Sequence, residues 1–437
     1  MTNTEPLFIA ATPQEARAIE EAGVECELYD EYGILGIVQR CRDERRPIVG
    51  MCNAYANEDL HEMCKAGGVA FFVGNLQDGK YGILETRDRV VREAESARAG
   101  VARESLKKLG VYDTAHVVLA LEHGAVVRDP VRTGLSSLDT ALGGGIPTGG
   151  LTILGAVMST GKTTLALQIA DYIAGAGGRN VLFVTVEQGR AELVAKSVSR
   201  IVGSARRKGV EGVTISSAAM VSPGRRGRWS DDEKRAFTRA CLTYREKIGP
   251  RMWMMECDEQ PTTAQILEAA EKVKAETGEA PALFVDYLQL LAPASERMTE
   301  KQAVDHNVMD LRHLARDMRV PVFVISSLNR ASYAGGVTID SFKESGAVEY
   351  GADVLLGLQP LGMEDDLASV AESRQKREAN KLMETHKTAP VREVEIKVLK
   401  NRHGALPASP VPLVFDAACS LFMESGRTQP ARPAVVI

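Results

Sequence analysis

The segment AVMSTGKT at 156–163 most constrains how this chain can fold. An apolar run, TILGAV at 152–157, enters a glycine-containing turn. Lys162-Thr163-Thr164 then opens a helix-favouring stretch. A turn of this kind directs backbone N–H groups inward at a helix N-terminus, where they cradle phosphate oxygens. The geometry needs a strand that feeds directly into a helix, which points to an α/β layer fold.

Ala156 stands where the strict phosphate-loop pattern has glycine. The strand before it, the helix after it and the lead-in GGGIPTGG at 143–150 supply the missing specificity. The candidate ATP-binding set is Ala156, Ser159, Thr160, Gly161, Lys162, Thr163 and Thr164. In it Lys162 reaches the β- and γ-phosphates and the Thr163 hydroxyl ligates Mg²⁺. Hydrolysis also needs a carboxylate at the end of a neighbouring strand to hold the hydrated metal. Asp286 in ALFVDYL fits that position. Glu187, after the run NVLFVTV, is the candidate base that orients the attacking water.

From 131 to 424 the chain reads as one α/β domain. Its strands are TILGAV at 152–157, NVLFVTV at 180–186, RMWMMEC at 251–257, ALFVDYL at 282–288 and VPVFVISS at 320–327. These are continuous apolar runs, the pattern of strands buried on both faces of a parallel sheet. Helices are expected at 162–175, 263–276 and 302–318. The polar, basic stretch 203–232 reads as a loop. Residues 361–392 read as a charged, helix-favouring insertion, and 425–437 as a flexible tail.

Residues 1–82 read as a smaller α/β domain, with short strands near 7–10, 24–30, 47–52 and 68–73 alternating with helices of about ten residues. Between them, 83–130 contain a Glu-, Arg- and Ala-rich stretch with Val90, Ala94, Ala97, Val101 and Leu109 at helical spacing. It is a candidate domain-joining helix or a helix that packs on another subunit; the other reading is an ordinary surface helix.

The formal net charge is −5 and aromatic residues are 5% of the chain. Bulk charge therefore excludes nonspecific nucleic-acid coating, and a base-stacking platform repeated along the chain is not expected. The seven cysteines are scattered without CxxC spacing, which fits reduced thiols in the cytoplasm. The first residues lack the pattern of a targeting signal. No apolar window is long enough for a membrane span.

The block RTGLSSLDTALGGGIPTGGLTILGAVMSTGKTTLALQIA, followed by GRNVLFVTVEQG, resembles the RecA-type core of DnaB-like replicative helicases of superfamily 4. ALFVDYLQLL, LRHLARDMRVPVFVISSLNR, SFKESGAVEYGADVLL and IKVLKNRHG extend the resemblance in order. It implies a RecA-like fold with a mainly parallel sheet and ATP hydrolysis with Mg²⁺. It also implies a ring of copies, a hexamer, that moves on single-stranded DNA during replication, with a loader or a primase as candidate partner. Lys400 and Arg402 fall on the lysine and arginine finger that the family inserts into the neighbouring subunit's site. Lys343, Glu344 and Gly346 fall on the loop that touches the DNA backbone.

Two positions depart from the family pattern. Ser327 stands where the family has glutamine, and Lys343 where arginine is more usual. The first motivates an alternative: a RecA- or KaiC-like DNA-binding ATPase that regulates or recombines without unwinding.

FIAATPQEARAIEEAGVE and PIVGMCNAYANEDLHEMCKAGGVAFF resemble the Toprim fold of phage and mitochondrial primase-helicases. That fold holds Mg²⁺ with carboxylates where this chain has Ala11, Asn53 and Tyr55. The resemblance thus implies a degenerate, metal-free domain; the other reading is an unrelated small α/β domain.

Overall fold

The computed structural model describes residues 6–73 except 11, 22, 31, 32, 45, 51–53, 68 and 70. It also describes 111, 114, 118 and 121, and then 129–426 except 211, 296, 330–335, 343, 344 and 364–371. The chain forms two units, Met1–Val127 and Arg128–Ile437. The Glu- and Arg-rich stretch at 84–110 and the tail from 427 lie outside the described residues.

The first unit alternates β1 (Leu7–Ala10), α1 (Pro13–Glu21), β2 (Cys26–Leu28), α2 (Ile34–Glu44), β3 (Ile48–Gly50), α3 (Ala54–Gly67) and β4 (Phe71–Val73). The four strands are parallel in the order β2-β1-β3-β4. Ile34, Ile37, Val38 and Cys41 of α2 pack with Leu7, Ile9 and Ile48 on one face of the sheet. Phe8, Ala10 and Val49 face the other way, against Ala16 and Ile19 of α1.

The second unit is built on nine strands in the order β13-β12-β11-β10-β5-β9-β8-β6-β7. Six are mutually parallel: β5 (Leu151–Ala156), β6 (Val181–Thr185), β7 (Met252–Glu256), β8 (Ala282–Asp286), β9 (Val322–Ser327) and β10 (Val354–Pro360). Three join antiparallel at one edge: β11 (Val391–Asn401), β12 (Val411–Asp416) and β13 (Leu421–Glu424).

The apolar runs are continuous because alternate residues feed two cores. Leu154, Phe183, Phe284, Phe323 and Ile325 pack against α5 (Lys162–Gly175), which is apolar on nearly every side. Ile153, Leu182, Val184, Leu283, Val285 and Val324 pack on the opposite face, against α10 (Thr263–Thr277) and α11 (Glu300–Met318). A short helix α4 (Ser136–Ala141) lies in the lead-in to β5.

One expectation is corrected. Residues 203–232 are not a loop. They contain the end of α6 (Arg190–Arg207), then α7 (Ser217–Met220) and α8 (Pro223–Arg226), and run into α9 (Asp231–Lys247). Ser230 and Glu233 form a reciprocal capping box that starts α9. A separate core of Val198, Val202, Met220, Trp229, Ala236 and Ala240 holds the group together. The apolar residues that build it are few and widely spaced, so hydrophobic periodicity did not reveal it. The region 361–392 does hold the expected helix, α13 (Glu372–Thr388), which comes before β11.

Arg200 of α6 and Asp171 of α5 form an ion pair with both side chains only 7% exposed. Arg200 also donates to the Ser420 carbonyl at 3.0 Å. Removing one member of a buried pair leaves an uncompensated charge, at a cost of about 3–5 kcal/mol. Arg200→Met should therefore lower the urea midpoint sharply. The double change Arg200→Met with Asp171→Leu should recover most of the loss, measured by equilibrium denaturation of the full chain.

Candidate functional site

β5 is central in its sheet, with β9 and β10 on either side, and the register places Ala156 between Ser327 and Leu358. The chain leaves this strand at the carboxyl edge of the parallel sheet, where such folds bind ligands. Val157 continues the ladder by donating its N–H to the Leu358 carbonyl at 2.9 Å. The Thr160 hydroxyl turns back to the Val157 carbonyl at 2.6 Å and closes the loop.

Gly161 ends the loop with φ +93°. A Cβ there would meet Phe415 at 2.9 Å and Phe422 at 3.0 Å, so glycine is required on both counts. These two rings stack at 4.4 Å and back the turn from the antiparallel edge. Gly155 is also constrained, since a Cβ would lie 2.5 Å from Leu328 and Phe342.

Helix α5 starts at Lys162 with no side-chain cap. Its first N–H groups are thus left for an anion at the positive end of the helix dipole. Lys162 carries its ammonium 4.5 Å from the centre of the Tyr287 ring. Ser159 is exposed, while Thr160, Thr163 and Thr164 are buried.

The Thr163 hydroxyl donates to Asp286 Oδ2 at 2.7 Å. Asp286 ends β8 and is 1% exposed, and its Oδ1 has no hydrogen-bond partner. Burial raises the Asp286 carboxyl above its ordinary value, opposed by the Thr163 hydrogen bond and the charge of Lys162. An orphaned buried carboxylate oxygen beside a hydroxyl suits a hard cation with oxygen ligands. Among the described residues no group of three or more His, Cys, Asp or Glu could hold a metal. Thr163 and Asp286 could therefore hold Mg²⁺ only together with phosphate oxygens and water, as this ion prefers.

Glu187 is exposed, two residues beyond β6, whose Thr185 pairs in register with Asp286. The turn that carries it is fixed on both sides. The Thr185 hydroxyl donates to the Gln188 carbonyl at 2.7 Å, and Lys196 Nζ donates to Gln188 Oε1 at 2.6 Å. Lys196 of α6 is a site residue that the sequence reading missed. Burial lowers its pKa, opposed by the nearby Asp286 charge. Its signal was weak: a lone lysine on an amphipathic helix.

Ser327, where the related pattern has glutamine, is met by Gln289 from the block ALFVDYLQLL. Gln289 accepts the Ser327 N–H at 3.0 Å and donates to the Ser326 hydroxyl at 3.0 Å. A glutamine from the turn that follows β8 thus bridges to the end of β9.

Lys400 and Arg402 are not gathered with the phosphate loop. They lie at the far end of β11, where Asn401 pairs with Val354 and Val354 with Thr152. At about 3.3 Å per residue, that is about 13 Å back along the strands from Ala156. Lys400 donates to the Glu349 carbonyl, and Arg402 to the Tyr350 carbonyl at 2.9 Å. Both carbonyls belong to α12 (Ser345–Gly351). Gly346 lies in the first turn of that helix; Lys343 and Glu344 fall outside the described residues.

The family of the DnaB-like helicase C-terminal domain matches residues 130–424. The chain is 25% identical over 269 residues to the replicative DNA helicase DnaB of Leifsonia xyli, covering 61% of this chain and 53% of that protein. It is 24% identical over 382 residues to the DnaB of Helicobacter pylori, covering 83% and 70%. A probable plasmid replicative DNA helicase of Chlamydia psittaci is 25% identical over 239 residues, covering 53% and 46%. The chain thus spans about half the length of most of these curated relatives. A solved ATPase domain superposes with a TM-score of 0.56 at 21% identity, covering 72% of this chain and 98% of that one. A DnaB-like replicative helicase solved for its interactions with primase gives 0.55 at 18% identity, covering 84% and 82%.

The buried Asp286 yields a prediction with a defined sign. A carboxyl whose folded-state pKa lies above 3.8 costs stability at neutral pH, and that cost is relieved as pH falls through the raised value. Asp286→Asn should raise the melting temperature of the ligand-free protein at neutral pH. The gain should shrink on acidification, followed by calorimetry.

Proposed function

The chain belongs to the DnaB-like helicase C-terminal domain family, and from that premise we propose that it is an ATP-dependent DNA helicase or translocase. It hydrolyses ATP between the subunits of a ring, a hexamer, and uses the energy to move on single-stranded DNA in replication. The observation that carries this reading is the division of the site within one chain. The cradle, Thr163, Asp286 and Glu187 lie at one end of the sheet, and Lys400 and Arg402 at the other. Cations held that far from their own phosphate loop suit the site of another copy.

In this reading the N–H groups at the start of α5 bind the phosphates, and Lys162 reaches the β- and γ-oxygens. Thr163 and Asp286 would hold Mg²⁺, and the chemistry that ion would supply is neutralisation of phosphate charge. Glu187 orients the attacking water and accepts its proton. Lys400 and Arg402 of the partner subunit stabilise the charge on the γ-phosphate. Lys343, Glu344 and Gly346 touch the DNA backbone, one basic loop per copy. A ring repeats that charge and so needs no basic chain. Because α12 is held by Lys400 and Arg402, a cation that engages a neighbour's nucleotide also pulls on the helix that follows the DNA loop.

The regulator without unwinding activity is the less favoured reading. Gln289 spends both ends of its amide on Ser326 and Ser327, and so ties the strand end that carries Ser327 to the chain just beyond Asp286. The amino-terminal unit, four parallel strands with helices, supports a Toprim-like fold without metal carboxylates. Tyr55 lies in the first turn of α3; Ala11 and Asn53 are outside the described residues. A loader or a primase is the partner class this reading carries, and its setting is the cytoplasm. No described helix is long and apolar enough to cross a membrane.

Lys162→Ala and Arg402→Ala should each lower DNA-stimulated ATP turnover by about a thousandfold. Mixing the two inactive proteins should restore part of it, because some interfaces then pair an intact Lys162 with an intact Arg402. A forked-duplex assay should show strand separation by the wild type. Absence of complementation would remove the shared site, and ATP turnover without strand separation would favour the regulator.

A further inference from the structure

The phosphate loop is held from outside by a residue that neither the phosphate-loop pattern nor the family blocks include. Arg392 is the second residue of β11, at the end nearest the phosphate loop. Its guanidinium donates to the carbonyl of Ser159 in the loop. The same group donates to the Ala389 carbonyl at 2.9 Å and the Lys387 carbonyl at 2.8 Å. It also sits over the Phe415 ring, 5.6 Å from its centre. Phe415 is one of the two rings that back Gly161. Arg392 and Phe415 together therefore meet the phosphate-loop turn at two points, Ser159 and Gly161.

The turn has reason to need an external tie. Ser159 has φ +65°, a left-handed conformation that residues with side chains adopt seldom. It is exposed, so packing does not hold it. If the Ser159 peptide swings, the direction of the neighbouring N–H groups changes, and those groups are the anion cradle. A planar guanidinium with five donors can hold three carbonyls in one geometry, and a lysine ammonium on a flexible stem cannot do so in the same plane.

We propose that Arg392 is a positioning residue of the nucleotide site. It fixes the Ser159 carbonyl and so keeps the phosphate loop in its anion-binding shape. This rests on the reading of residues 156–164 as a nucleotide site. It extends that reading to β11, which carries Arg392 at one end and Lys400 and Arg402 at the other. One strand thereby ties a copy's own phosphate loop to the cations it offers to the next copy.

The test is a titration of the full chain with a fluorescent, non-hydrolysable ATP analogue and Mg²⁺. Lys162→Ala serves as the control. Arg392→Met should weaken binding roughly tenfold to a hundredfold, the factor that a charge-assisted hydrogen bond is worth. Arg392→Lys should recover little of it. Millimolar ethylguanidinium added to Arg392→Ala should restore binding, which a loss of general stability would not allow. Should Arg392→Met fail to fold, Arg392→Lys carries the same test, with a loss of about fivefold or more expected. Wild-type affinity in a folded Arg392→Met or Arg392→Lys protein, or no rescue by ethylguanidinium, overturns the proposal. Failure of the wild type to bind, or unchanged binding by Lys162→Ala, instead overturns the nucleotide-site reading beneath it.

Discussion

The hydrogen bond from the Thr163 hydroxyl to Asp286 joins the start of α5 to the end of β8. Two other strands of the architecture bear on it. β9 lies between β5 and β8, and β6 sets Thr185 beside Asp286. A slip of one residue in any of these pairings would turn an apolar side chain toward the site and a polar one into the core. The sheet is therefore what gives the site its geometry. The two cores on its faces are what make the register costly to change.

Much of this was legible in the sequence because each signal was local. A phosphate loop needs a strand, a tight turn and a helix in direct succession, and all three are contiguous at 151–175. Strands buried on both faces announce themselves as unbroken apolar runs. Asp286 and Glu187 stand out as candidates in the sequence because each follows such a run. What was not legible depends on residues brought together over long separations. Gln289 meets Ser326 and Ser327 across two strand ends. Lys196 reaches the Glu187 turn from within α6. Arg392 reaches Ser159 across more than half the second unit. None of these has a spacing that a pattern could reveal. The group of helices around Trp229 was missed for another reason. Its core is small and built from isolated residues between basic ones, so polarity dominated the local reading.

The antiparallel edge contributes more than closure of the sheet. β12 and β13 supply the stacked Phe415 and Phe422 that press on Gly161. β11 supplies the cations. At its far end Arg402 and Arg312 share Asp353, whose other oxygen accepts the Leu151 N–H at the start of β5. The strand is thus anchored near both ends of β5, once through Asp353 and once through Ser159. A rigid element with a fixed hold on its own nucleotide loop, and cations at its other end, suits work passed from one copy to the next. In such a device the net charge of −5 is no obstacle. In the proposed ring the cations that matter are few per copy, and repetition multiplies them.

The central claim is that a nucleotide is enclosed by two copies of this chain. Electron cryomicroscopy of the full chain with Mg²⁺, a non-hydrolysable ATP analogue and a single-stranded oligonucleotide tests it most directly. The account predicts a closed ring around the strand, with each nucleotide seated on Lys162 and Thr163 of one copy and Arg402 of the partner subunit at its γ-phosphate. A nucleotide enclosed by one copy alone, with every Arg402 remote from a γ-phosphate, would contradict it.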